Sequence, residues 1–239
     1  MFQPLLKNIF IIASPHEDEQ RQRNVQHLQK QLPGINIQPA IFPSETRVPF
    51  LQKLQEYSEK RTGLRMNPGE IGVLLSNRAI WREIVSQHNE GYFLILESDS
   101  NIKDLDLLLN QSSFIKNYDV FFFGGWYGKM LLKRSTIQQV GQYRFGDAVF
   151  KTVCSCYGYA INVKAAKELL KYTGKIAHPV DEFKRYLPEG HLRLGAILPE
   201  VISELPSTSS IGHPNYENVS FRIRMLLVNL RNQLKAYFS

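Results

Sequence analysis

Two cysteines, Cys154 and Cys156, are all that this 239-residue sequence contains. One residue apart, they are too close for an ordinary disulfide and too few for a structural zinc site. A chain of this size buries enough core to need neither staple, and such sparing cysteine use fits a reducing, cytoplasmic setting. Long apolar runs are missing too. Nothing approaches the roughly 18 residues of a membrane span, and the apolar stretch Ile9–Ala13 is short, follows Lys7 and Asn8, and has no basic region before it, so it does not read as a signal peptide. There is no internal repeat, low-complexity tract or linker. The histidines, His16, His27, His88, His178, His191 and His213, are scattered with no close pair. Zinc-finger spacing, RNP-like aromatic blocks and basic runs of five or more are all absent, which argues against a nucleic-acid-binding module.

What is present is a globular balance, 43% hydrophobic and 21% charged, with 29 Lys+Arg against 22 Asp+Glu and hence a net charge of +7. That excess favours anionic partners such as phosphorylated ligands or an acidic membrane surface. The patterning predicts strands at 8–13, 35–42, 92–96, 120–123 and 148–162. It predicts helices at 14–32 (Ser14 cap, Pro15, Glu17), 50–61, 67–89 (Asn67 cap, Pro68, Glu70), 105–115, 165–172 and 217–238. Residues 126–147 read as irregular, and 174–215, with five prolines, as loop. Alternating strands and helices imply an α/β sheet covered on both faces. We read one domain over 1–215 and a helical appendage over 216–239.

Three places carry candidate chemistry. In FLILESDS (93–100) a buried strand ends in Glu97 and Asp99, two carboxylates that project to one side of an extended chain. Ligands of open α/β sheets bind beyond the strands' carboxyl ends, and paired carboxylates there suit a hard divalent cation bridging to phosphates. An acidic turn capping the next helix is the plainer alternative. In MNPGEIGVLLSNRAIW (66–81) the plain reading is a capped amphipathic helix; the functional one turns Ser76, Asn77 and Arg78 to a ligand, with Arg78 pairing a phosphate. In HPVDEF (178–183), Asp181 and Glu182 are either an exposed acidic loop or general bases for an attacking hydroxyl.

The blocks IIASP, NPGEIGVLLSNRAIW, YFLILESDS, CYGYAINVKAAKELL and HPVDEF, in this order over roughly 8–212, resemble glycosyltransferase family 25, the bacterial lipopolysaccharide and lipooligosaccharide glycosyltransferases with collagen galactosyltransferases as relatives. The resemblance implies a GT-A-like nucleotide-sugar-binding α/β sandwich and inverting transfer of a hexose, typically galactose from UDP-galactose, to a lipid-linked oligosaccharide. It implies that Ile12, Ala13 and Ser14 with Arg21 hold the uridine. Asp99 would ligate Mn²⁺ or Mg²⁺, Glu97 would contact the ribose or the metal, and Asp181, with Glu182 second, would be the base. The family's acidic block usually reads Glu-Asp-Asp; Ser98 takes the middle place here, and Asn77 stands where a histidine is usual. Both departures leave open a catalytically weak nucleotide-sugar- or glycan-binding protein. Finally, Arg224, Arg231 and Lys235 share a narrow helical stripe in 221–238. That helix either meets an anionic membrane, peripherally on the inner face of the cytoplasmic membrane, or packs on the domain or a dimer partner.

Overall fold

The computed structural model describes residues 6–32, 34–42, 51–125, 130–154, 156–205 and 230–238. Ten strands lie among them: β1 (Leu6–Ala13), β2 (Asn36–Pro39), β3 (Tyr92–Glu97), β4 (Ser100–Ile102), β5 (Val120–Phe122), β6 (Gln138–Val140), β7 (Tyr143–Asp147), β8 (Gly158–Asn162), β9 (Leu194–Leu198) and β10 (Ile202–Glu204). Eight of them form one sheet in the order β2-β1-β3-β8-β5-β9-β7-β6. β1 pairs in parallel with β2 and β3, and β5 with β9, while β8 and β7 run antiparallel to their neighbours. The six remaining strands of the sheet thus share one direction, and their carboxyl ends lie along one edge. A second, two-stranded sheet pairs β4 with β10.

The apolar runs of β1, β3, β5 and β8 are buried on both faces. Along β1, Phe10 and Ile12 join one core while Ile11 and Ala13 join the other, the period of two expected of a pleated strand. The helices among the described residues before 206 are α1 (Glu19–Gln31), α2 (Leu51–Thr62), α3 (Pro68–Gln87), α4 (Leu105–Asn110), α5 (Val163–Tyr172) and α6 (Phe183–Tyr186). The first core packs the sheet against α3 and α5, with Ile71, Leu74, Trp81, Ile84 and Leu169 fully buried. The second packs it against α1 and α4 through Val25, Leu28, Leu107 and Leu108. Helices therefore cover both faces, as the alternation implies.

Several boundaries differ from the sequence reading for identifiable reasons. Asn67 caps α3 as expected, with Asn67 and Glu70 exchanging both bonds of a capping box. α1, by contrast, starts at Glu19: Asp18, not Ser14, accepts from the Arg21 N–H at 3.0 Å. The predicted helix 105–115 breaks at Gln111 into α4 and a 3₁₀ segment, Ser112–Asn117. The irregular stretch 126–147 contains the β6–β7 hairpin, turned at Gly141 with φ +55°. Of the described residues within 148–162, the strand is Gly158–Asn162. The proline-rich stretch holds β9, inside the large sheet, and β10. β10 can close over the strand ends because Gly124 faces the Ile202 carbonyl and a Cβ on Gly158 would lie 2.7 Å from Ile202 Cγ2. Of the predicted C-terminal helix, 230–238 is described and helical. Arg224 lies outside the described residues.

Candidate active site

The carboxyl ends of β1 and β3 lie side by side, with Ile12 in register with Glu97. After Glu97 the chain turns at once. The Glu97 N–H donates to Ser100 Oγ at 2.9 Å and to the Tyr157 carbonyl at 3.3 Å, and Ser100 Oγ donates to that same carbonyl. Ser98, Asp99 and Ser100 are all buried. β4 then pairs with β10, and the Leu205 N–H reaches the Asp99 carbonyl at 2.8 Å.

α1 grips this turn from the other side. Asn24 Nδ2 donates to the carbonyls of Ser98 and Ser100, both at 2.8 Å. Arg21 Nη2 meets Asp99 Oδ2 at 2.8 Å in a pair almost entirely removed from solvent. Glu17, just ahead of the helix, accepts from Ser98 Oγ at 2.5 Å and from the Ser14 N–H at 3.1 Å. Asn24 and Glu17 are the residues the sequence reading misses. For Asn24 the signal is its place three residues after Arg21, which puts both on one side of α1; Glu17 lies ahead of the helix and has no such signal.

The electrostatics follow from this crowding. Burial pushes Glu97 up to about 8, and the negative charges of Asp99, Asp181 and Glu204 push the same way against the opposing Arg21. Burial raises Asp99 as well; the Arg21 guanidinium offsets only part of it. Asp99 Oδ1 is buried without a hydrogen-bond partner, a state that costs free energy unless something binds there. Asp181 is raised to about 6, first by burial and next by Glu182. Burial pushes the Cys156 thiol up, and the charges of Asp181 and Glu97 push the same way.

These facts bear on the expected metal. Among the described residues no group of three or more His, Cys, Asp or Glu side chains is arranged to hold an ion. The donors are the Glu97/Asp99 pair, including the orphaned Asp99 Oδ1. That set fits a hard cation whose remaining ligands are phosphate oxygens and water.

The predicted site residues divide accordingly. Ile12, Ala13 and Ser14 line the end of β1 beside Glu97, and Arg21, Ser98 and Asp99 join them; Asp181 approaches Glu97 closely enough to shift it. Glu182 is engaged elsewhere, with its Oε2 2.9 Å from Arg185 Nε and 3.4 Å from Lys184 Nζ. Arg78 corrects the phosphate expectation: its Nη1 donates to the Leu170 carbonyl at 2.9 Å and to Thr173 Oγ1 at 2.5 Å, so this guanidinium closes the C-terminus of α5. Ser76 bonds Gly72 and the Ile41 N–H, and Asn77 accepts from the Tyr159 hydroxyl at 2.5 Å. All three belong to helix packing, the plainer of the two readings.

Comparison with known proteins bears on the family of the chain. Residues 6–184 match the family model described as glycosyltransferase family 25 (LPS biosynthesis protein). A procollagen galactosyltransferase 1-A of Xenopus laevis is similar at 25% identity over 195 residues, covering 77% of this chain. The match takes in 31% of that relative's length, so the chain spans less than a third of it.

Proposed function

The chain belongs to glycosyltransferase family 25, and from that premise we propose that it transfers a hexose, galactose in the first instance, from a UDP-sugar to a lipid-linked oligosaccharide with inversion at the anomeric carbon. The mixed α/β sheet is GT-A-like, and a glycosyltransferase needs a nucleotide-sugar donor and a glycan acceptor. The observation that supports the finer reading is the buried pair Glu97 and Asp99 at the carboxyl end of β3, with the Asp99 Oδ1 lacking a hydrogen-bond partner and the charge of Asp181 felt at Glu97.

The donor's nucleotide would lie along the end of β1, against Ile12, Ala13 and Ser14. Asp99, oriented by Arg21, and Glu97 would hold the cation, Mn²⁺ or Mg²⁺. When bound, that cation would neutralise charge on the diphosphate leaving group. The positively charged Arg21 would keep Asp99 ionised against the desolvation that raises it. Asp181 would take the acceptor hydroxyl's proton. Its position near 6 leaves it largely ionised at pH 7 yet still basic enough for the task. Glu182, held by Arg185 and Lys184, would instead support Asp181 by raising its basicity.

Among the described residues no helix is long and apolar enough to cross a membrane. The terminal helix buries Asn232, sets Tyr237 4.4 Å from the Arg134 guanidinium and exposes Leu230, Leu234 and Phe238. Peripheral contact with an anionic membrane through that face, on the cytoplasmic side, is part of the proposal. Liposome sedimentation of the full chain against a variant lacking 230–239 tests it; equal binding would remove it.

The function itself is tested by incubating the protein with UDP-galactose, UDP-glucose and UDP-N-acetylgalactosamine and a lipooligosaccharide acceptor, and reading product by mass. A hexose-sized mass gain that Asp181→Asn abolishes supports the reading. No gain with any UDP-sugar, under conditions where UDP binds, would overturn it.

A further inference from the structure

The turn that follows β3 presents Glu97 and Asp99 with the hydroxyl of Ser98 between them. That leaves it one negative charge short of an all-acidic turn. The structure brings a further carboxylate to this turn from another part of the chain. The loop after β1 doubles back so that the Glu17 N–H donates to the Ser14 carbonyl at 3.4 Å, and Asp18 then caps α1. Glu17 is thereby released from helix capping, and its carboxylate bridges two loops, with Oε1 on Ser98 Oγ at 2.5 Å and Oε2 on the Ser14 N–H at 3.1 Å. A hydroxyl can donate this bond; a carboxylate at position 98 would face Glu17 as a like charge.

We propose that Glu17 supplies the third negative charge of the donor site and, through Ser98, fixes the turn that carries Asp99. The inference rests on the donor-site reading above. Glu17 is a positioning residue, not a metal ligand: among the described residues no group of three or more His, Cys, Asp or Glu side chains could hold an ion. Its clasp holds the end of β1, where the nucleoside is expected, to the turn where the diphosphate is expected. The buried, unpartnered Asp99 Oδ1 is the independent sign that this turn awaits a cationic ligand. Glu17 and Ser98 therefore form a matched pair, and moving the charge from one to the other should preserve the site.

The experiment is a charge exchange. Mn²⁺–UDP binding to the full chain is measured by calorimetry for wild type, Glu17→Gln, Ser98→Asp and the double variant, alongside melting temperatures without ligand. Glu17→Gln should weaken binding about tenfold, the effect of one unit charge at a moderate distance and dielectric. Ser98→Asp should lower the melting temperature, because two carboxylates then meet. In the double variant the amide introduced at position 17 donates to the carboxylate introduced at position 98, and binding should stay within about twofold of wild type. Should Ser98→Asp fail to fold, Glu17→Gln and the double variant carry the test. Unchanged binding in Glu17→Gln, or a double variant as weak as Glu17→Gln, overturns the proposal. Absence of Mn²⁺–UDP binding in the wild type is a separate result, overturning the donor-site reading and this proposal with it.

Discussion

Asp99 and Asp119 occupy opposite ends of the same sheet, one just past the carboxyl end of β3 and the other just before β5. Their side chains are similarly hidden, with 9% and 12% of their surface exposed. Their surroundings differ. Burial pushes Asp119 up, but the Arg193 N–H, Lys164 and Asn162 together outweigh it and hold the carboxyl below its ordinary value. Asp99 has Arg21 on one oxygen, nothing on the other, and a carboxyl raised above the ordinary value. The fold can satisfy a buried carboxylate completely, and does so where the carboxylate only ties strands together. The underpaired end is where a ligand is expected.

Substitutions at the two ends sharpen or break that contrast. The largest effect is expected from Asp99→Asn, which should reduce transfer to background while the circular dichroism spectrum keeps its native shape; measurable turnover near wild type would break the contrast. Asp181→Asn should cost about 10²–10⁴ in kcat with UDP binding retained in calorimetry. In the wild type the acid limb of kcat/KM should rise through about pH 6, as Asp181 loses its proton.

At the other end, Asp119→Asn should cost about 1–3 kcal/mol of stability, or about 2–4 °C in melting temperature per kcal/mol, with turnover per folded molecule unchanged. A group held below its ordinary value of 3.8 adds stability above that value and loses it as pH falls through the lowered one. The difference between wild type and Asp119→Asn should therefore shrink in acid.

The smallest effect has the opposite sign. Glu97, raised from 4.5 to about 8, binds its proton more tightly folded than unfolded, so stability falls as pH rises across that window. Glu97→Gln should raise the melting temperature of the ligand-free protein at pH 8 and leave it almost unchanged at pH 4.5.

The residues legible in the sequence are those whose role is local. FLILE is an apolar run ending in an acid, so strand and site can be read together; Asn67-Pro68-Gly69-Glu70 is a complete capping signal. Glu17 shows the limit. Ser14, Pro15 and Glu17 also look like a cap, and only the contact with Ser98, 81 positions away, reveals another use for the carboxylate. Arg78 fails for the same reason, because its partners Leu170 and Thr173 come from a distant helix. β9 is five residues among prolines and glycines, and its place inside the sheet depends on pairing with β5 and β7.

The claim that the carboxyl end of the sheet is a metal-assisted UDP-sugar site is tested most directly by melting the protein with UDP, GDP, CMP and ADP, each with and without Mn²⁺. A ligand that binds only the folded state raises stability to an extent set by its concentration relative to its Kd. The account predicts a rise with UDP alone among the four, enlarged by Mn²⁺ and lost in Asp99→Asn. Equal shifts with all four nucleotides, or none with any, would contradict it.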